Sequence, residues 1–107
     1  MEDDMLVYHE DKPFTGEVVT RAENGQIVSI VNYVEGTESG RQEHWYSDGS
    51  KKAEGSSRLG VPVGEWHKWH SNGQLAERSV FNSRGEYMRR QRWDKSGNLT
   101  VDKTYTT

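Results

Sequence analysis

Large apolar side chains recur along this chain at a fixed spacing, with polar residues between them. Tryptophans stand at Trp45, Trp69 and Trp93; Ile27, Leu75 and Leu99 share a second phase, and Tyr33, Phe81 and Tyr105 a third, all on one 24-residue period. Glycines keep the same period at Gly16, Gly40 and Gly64, and again at Gly25, Gly49, Gly73 and Gly97. Such self-similarity marks a tandem repeat in which each unit buries its apolar side only by packing on its neighbours. Two short segments in each unit flank Asn24-Gly25, Asp48-Gly49, Asn72-Gly73 or Ser96-Gly97. Asn-Gly or Asp-Gly between short alternating runs is a strong hairpin signal, and it predicts a type I′ turn, whose two central residues need positive φ. Between units, Gly36 and Gly60 share a phase while Arg84-Gly85 stands one residue out of it, which predicts a second reversal leading into each next hairpin.

The predicted fold is therefore all-β: an elongated single twisted antiparallel sheet of about four tandem hairpins in one domain. The hairpins are expected at about residues 14–37, 38–61, 62–85 and 86–107, after an N-terminal half-repeat over residues 1–13. In that half-repeat Met5-Leu6-Val7-Tyr8 lies in phase with Val31-Asn32-Tyr33 and supplies one further strand. Nine strands at a spacing of about 4.8 Å would make a ribbon about 40 Å long. Side chains alternate between faces along a strand, so Trp45, Trp69 and Trp93 should share one face as a ladder and form the spine. Lys51 and Ser57 interrupt the other two columns in the second unit, which predicts the weakest packing there.

Composition changes this picture little. Only 31% of residues are hydrophobic and 29% are charged, too little apolar surface for a thick core, but four Trp, five Tyr and two Phe speak against disorder. A thin repeat sheet reconciles the two. The chain has no cysteine, hence no disulfide framework and no thiolate metal site. It opens on the acidic Met1-Glu2-Asp3-Asp4 and has no apolar run of bilayer length, so a soluble, cytoplasmic protein is expected. The net charge is -3 but unevenly placed: residues 1–54 carry 12 Asp/Glu against 5 Lys/Arg, and residues 55–107 carry 5 against 9. In a stacked repeat this becomes a dipole, favouring charged protein partners or head-to-tail self-association.

The run Gly64-Glu65-Trp66-His67-Lys68-Trp69-His70-Ser71-Asn72-Gly73-Gln74-Leu75-Ala76-Glu77, together with the lead-in Lys12-Pro13-Phe14-Thr15-Gly16, resembles the MORN repeat variant of bacterial proteins, often labelled YwqK-family antitoxins. The likeness extends over about residues 5–105, although Gln42 and Arg90 stand where Trp66 stands and Met88 replaces the opening glycine of the fourth unit. It implies the hairpin-repeat fold and a scaffold, a protein-binding module or a lipid contact, without fixing the ligand.

Candidate chemistry is sparse. His67 and His70, three apart on a predicted strand, project to opposite faces and cannot share a metal. No nucleophile elbow, phosphate loop or dinucleotide fingerprint is present, and no cofactor is expected. The cluster Arg89-Arg90-Gln91-Arg92-Trp93 should place Arg90 and Arg92 on one face, with Arg89 stacking on the tryptophan ladder. A pI near 5.8 argues against a nucleic-acid binder. The expected activity is non-catalytic binding of a protein on the face carrying Tyr46, Trp66, His70, Arg90 and Arg92, and the family resemblance implies a cognate toxin as that protein. The acidic N-terminal half would steer the approach of a basic partner. The alternatives are an anionic-lipid-binding module and a self-assembling structural element pairing end to end.

Overall fold

The computed structural model describes residues 7–106. Ten strands follow one another with no helix among the described residues: β1 (Tyr8–His9), β2 (Lys12–Pro13), β3 (Gly16–Arg21), β4 (Ile27–Val34), β5 (Thr37–Trp45), β6 (Lys51–Arg58), β7 (Val61–Trp69), β8 (Leu75–Phe81), β9 (Tyr87–Trp93) and β10 (Leu99–Thr104). β3 to β10 form one open, antiparallel, eight-stranded sheet in chain order, so each strand pairs only with its sequence neighbours. Purely local pairing is what evenly phased turns dictate. β1 and β2 form a separate two-stranded hairpin. The expected extra strand at the N-terminus is thus replaced by this miniature hairpin, which turns at Glu10-Asp11 (φ 53° and 64°). It is tethered where the Val7 amide donates to the Gly36 carbonyl (2.6 Å) and the Gly36 amide to the Phe14 carbonyl (2.7 Å). Met5 and Leu6 of the expected strand lie outside the described residues.

Two turn chemistries occur, and the tips do not use the expected type I′. At the Asn-Gly tips only the glycine has positive φ, as at Gly25 (86°) and Gly73 (90°). The Gly25 amide donates to the Ala22 carbonyl and the Ala22 amide to the Gln26 carbonyl, the pattern of a three-residue type I turn closed by a glycine bulge. The Asn24 carboxamide oxygen accepts from the Gln26 amide (3.0 Å), and Asp48 and Asn72 hold their tips in the same way; at the last tip Asp94, at the first position of the turn, accepts instead from the Ser96 and Asn98 amides. An Asx side chain that caps its own turn favours this geometry over type I′. The type I′ signature, two consecutive positive φ angles, falls between units at Glu35-Gly36 (49°, 82°) and Leu59-Gly60 (51°, 86°). The third link, Asn82 to Glu86, is another glycine-bulge turn, which accounts for the one-residue phase shift at Arg84-Gly85. Leu59, 75% exposed, occupies its left-handed conformation with no visible compensation. Leu59→Asn is expected to raise stability by about 1 kcal/mol, read from the urea midpoint.

The molecule is a slab of 47 × 42 × 22 Å, broader and less ribbon-like than expected, with a radius of gyration of 15.6 Å. A compact globule of this length would have about 13 Å. Val31 is the one buried hydrophobic residue among those described; the other buried side chains are Gln42, Ser57, Glu77 and Ser79. All five lie on one face, referred to below as the inner face, because register sets Val18, Val31, Gln42 and Gly55 opposite one another and continues through Trp66, Ser79 and Arg90.

The tryptophan column is not the spine. Trp45, Trp69 and Trp93 do take equivalent places, each pairing with the first residue of the next strand, Lys51, Leu75 and Leu99. Alternate strands lie about 9–10 Å apart, too far for ring contact, so other groups fill the space. The Lys51 ammonium lies 5.1 Å from the Trp45 ring and His67 stacks on Trp69 at 5.9 Å. Nor is the second unit weakly packed. At its centre the Gln42 carboxamide donates to Ser57 Oγ (3.1 Å) and to Glu38 Oε1 (2.9 Å), and Lys51 bridges Glu43 and Glu54. The polar residues that break the apolar columns are those that the interior satisfies by hydrogen bonds.

Candidate binding site on the inner face

The two faces of the sheet differ in how their charges are used. On the outer face, register aligns Ile30, Glu43, Glu54, His67, Arg78, Gln91 and Asp102 in one row across the strands. Its charges are consumed in pairs: Arg41–Glu54 (3.0 Å), Lys51–Glu43 (2.6 Å), Arg78–Glu65 (2.7 Å) and Arg89–Asp102 (3.3 Å). The hydrogen bond from Arg78 holds the Glu65 carboxyl below the usual carboxylate range. Burial works to raise Glu54, but Lys51, Arg41 and His67 outweigh it and hold its pKa down. The hydrogen bond to Glu43 in turn raises Lys51. Cross-strand opposite charges of this kind contribute to the sheet and leave little net field.

The inner face carries two adjoining hollows. The larger, about 550 Å³, opens near the hairpin tips and includes His44, Tyr46, Lys52, His70 and Arg92 in its lining. The smaller, about 260 Å³, lies towards the links between units and is walled by Pro62, Trp66, Phe81 and Tyr87 over Gln42 and Ser79. Lys68 and Glu77 line both, so one depression runs continuously from an apolar end to a cationic end. Neither Lys52 nor Lys68 has a carboxylate within ion-pair distance among the described residues.

Each element of the site has a local cause. The Trp66 indole lies flat on Gly55, where an added Cβ would come within 2.1 Å of the ring, and its Nε1 donates to the Ser56 carbonyl (2.9 Å). Gly55 thus makes the seat for the large ring that walls the apolar end. Glu77, with a side chain 9% exposed, accepts from Ser79 Oγ (2.9 Å) and faces Arg92 Nε (3.3 Å) and Arg90 Nε (3.5 Å). Arg90 also covers the Tyr87 ring at 5.5 Å, and Tyr87 continues the stack of Phe81 and Tyr105. The basic cluster therefore leans on Tyr87 and Glu77 and not on the tryptophans; Arg89 turns outward to Asp102.

Of the five residues singled out by sequence, Tyr46, His70 and Arg92 line the larger hollow and Trp66 the smaller, while Arg90 lines neither and lies against Glu77. Tyr46 and His70 are not strand positions. They begin equivalent tip turns and reach one unit forward: Tyr46 Oη donates to the Trp69 carbonyl (2.8 Å) and His70 Nε2 bonds the Trp93 carbonyl (2.8 Å). Asn24 and Asn72 make the same jump to the Ser47 and Lys95 carbonyls. Every junction between hairpins is stapled in this way. Sequence reading placed Lys68 on the face of Trp66 and His70 but missed Glu77, Lys52 and Gly55; Glu77 is one residue in an exposed-looking Ala-Glu-Arg run, and its role appears only when register sets it opposite Arg92.

His44 closes a buried relay: its Nε2 bonds Gln42 Oε1 (2.9 Å), and the Gln42 amide continues to Ser57 and Glu38. Burial lowers the His44 pKa, against a smaller upward pull from Glu38. A histidine depressed in the folded state binds its proton more readily when unfolded, so stability is full above about pH 6.5 and declines as pH falls below it. A falling urea midpoint between pH 6.5 and 5 is expected for the wild type, with a flatter profile for His44→Gln. The carboxylates Glu54 and Glu65, whose pKa values are lowered, lose their contribution only below about pH 4.5.

Fold and surface together define an open hairpin-repeat sheet with a recessed, partly cationic face. Residues 14–35, the first hairpin, match the MORN repeat variant family. No curated protein matches the chain. Two solved structures are similar in outline: a chain from the crystal structure of accessory secretory proteins 1, 2 and 3 of Streptococcus pneumoniae (21% identity, TM-score 0.46, covering 90% of this chain and 20% of that one), and a chain from the GtfA/B complex bound to UDP and GlcNAc (9% identity, TM-score 0.40, covering 94% and 26%). The chain thus spans about a fifth and about a quarter of their lengths.

Proposed function

We propose that this chain is a non-catalytic binding module that holds a protein partner on the inner face of its sheet. The observation that carries the reading is the asymmetry of the faces: the row of charges across the outer face is neutralised in pairs, whereas the inner face leaves Lys52 and Lys68 without carboxylate partners among the described residues, around a depression that also presents Trp66. A rigid sheet offers such a surface without ordering cost on binding, and aromatic and arginine side chains are the usual anchors. Repeats of the kind matched over residues 14–35 are in general binding or structural modules. The finer reading, an antitoxin or immunity role, rests on the sequence resemblance, and its placement in the cytoplasm on the acidic start and the lack of a bilayer-length apolar run. On it, the inner face masks a toxin while the acidic N-terminal half orients the approach.

Affinity capture from extracts of the native cell tests it, using wild type, the inner-face variant Lys68→Gln/Arg92→Gln and the outer-face variant Arg41→Gln. A protein retained by wild type and by Arg41→Gln but lost from the inner-face variant is expected. A partner that all three retain equally would remove the inner face from the reading.

A further inference from the structure

The depression is bipartite, and its two ends ask for different chemistry on one ligand. At one end Pro62, Trp66, Phe81 and Tyr87 enclose about 260 Å³, room for one or two aromatic side chains. At the other, Lys52, Lys68 and Arg92 surround a larger hollow whose lining holds a single carboxylate, that of Glu77. Glu77 is already engaged by Ser79 and two arginines, so the site has a surplus of donors. Arg90 Nε, buried beside Glu77, makes no hydrogen bond among the described residues and has only the ion-pair contact to Glu77 Oε2 at 3.5 Å. Buried donors of this kind are normally satisfied.

We propose that this depression binds an extended acidic peptide segment of a protein partner, its carboxylates among Lys52, Lys68 and Arg92 and an aromatic side chain against Trp66. The inference rests on the inner-face reading above and names what that face recognises. The strands bounding the depression run for seven to nine residues, about 23–30 Å, so a peptide of similar length can lie along them. A bilayer is a poorer fit: the cations line a hollow instead of a protruding rim, and the net charge of -3 opposes an anionic membrane.

Fluorescence anisotropy on the whole chain, with labelled octapeptides, tests the proposal. An alternating glutamate–phenylalanine peptide is expected to bind, and to weaken as salt rises from about 50 to about 300 mM. Alternating glutamate–serine and lysine–phenylalanine peptides are expected to bind at least about tenfold more weakly, a difference of about 1.4 kcal/mol. The Lys52→Gln/Lys68→Gln variant, whose two side chains are exposed and without carboxylate partners among the described residues, should lose about tenfold in affinity for the first peptide with a nearly unchanged unfolding midpoint, while Arg41→Gln binds as wild type. Equal binding of the lysine peptide, or unchanged affinity in the double lysine variant, would overturn the proposal. So would preferential capture by phosphatidylserine vesicles, or self-association that excludes the peptide. If no peptide binds yet a captured partner still depends on Lys68 and Arg92, the peptide inference falls and the inner-face module stands; if that dependence is also absent, both fall.

Discussion

Adding one methyl group at Gly55 is expected to destabilise the protein by about 3 kcal/mol, among the largest effects of any single substitution. The added Cβ would sit 2.1 Å from the Trp66 indole, and the ring cannot slide away without losing its Nε1 bond to the Ser56 carbonyl (2.9 Å). Overpacking of this kind costs about 1–3 kcal/mol, and a lost hydrogen bond adds to it. A double-mutant cycle isolates the cause. In a Trp66→Ala background, itself destabilised, Gly55→Ala should cost less than about 1 kcal/mol, because the obstructing ring has gone. Equal costs in both backgrounds, measured by urea unfolding, would show that strand geometry and not the indole sets the requirement for glycine.

The second large effect belongs to Glu77. Replacing its carboxylate by the isosteric amide in Glu77→Gln keeps an acceptor for Ser79 Oγ but removes the counter-charge of Arg90 and Arg92. Removing one partner of a buried ion pair destabilises by about 3–5 kcal/mol. Here Arg92 is 52% and Arg90 30% exposed, so water takes up part of the deficit and about 2 kcal/mol is expected. Arg92→Gln should cost under about 1 kcal/mol, since Glu77 keeps Ser79 and Arg90. The asymmetry between the two variants, read from chemical denaturation at neutral pH, distinguishes a buried carboxylate that organises the arginines from a surface pair of equal partners.

The hairpin plan was legible because glycine and Asx spacing is a backbone requirement, written in the residues themselves. What stayed hidden depends on register. An Asn-Gly pair serves both a type I′ turn and a type I turn with a glycine bulge, and the choice is made by the Asn24 and Asn72 side chains accepting from the backbone two residues on. The tryptophans drew attention by size, but an eclipsed column on alternate strands cannot close into a ring stack. The interior is built instead from Gln42, Ser57, Glu77 and Ser79, residues whose polarity marks them as exposed until their hydrogen bonds are seen. Tyr46 and His70 were recognised as notable, yet their first task is to tie one tip to the next. Gly55 became meaningful only when the shift between Glu54 and Ser56 brought Trp66 over it.

The polar character of that interior has a thermodynamic consequence. Unfolding a conventional domain hydrates a large apolar area, and the resulting heat-capacity increase bends the stability curve steeply with temperature. Here Val31, itself 9% exposed, is the one buried aliphatic among the described residues, and much of what becomes wetted is amide, hydroxyl and carboxylate, whose hydration contributes with the opposite sign. Calorimetry of this sheet should therefore show a shallow dome, with stability varying little between cold and warm conditions, because a single layer that hides so little hydrocarbon has little for temperature to act on.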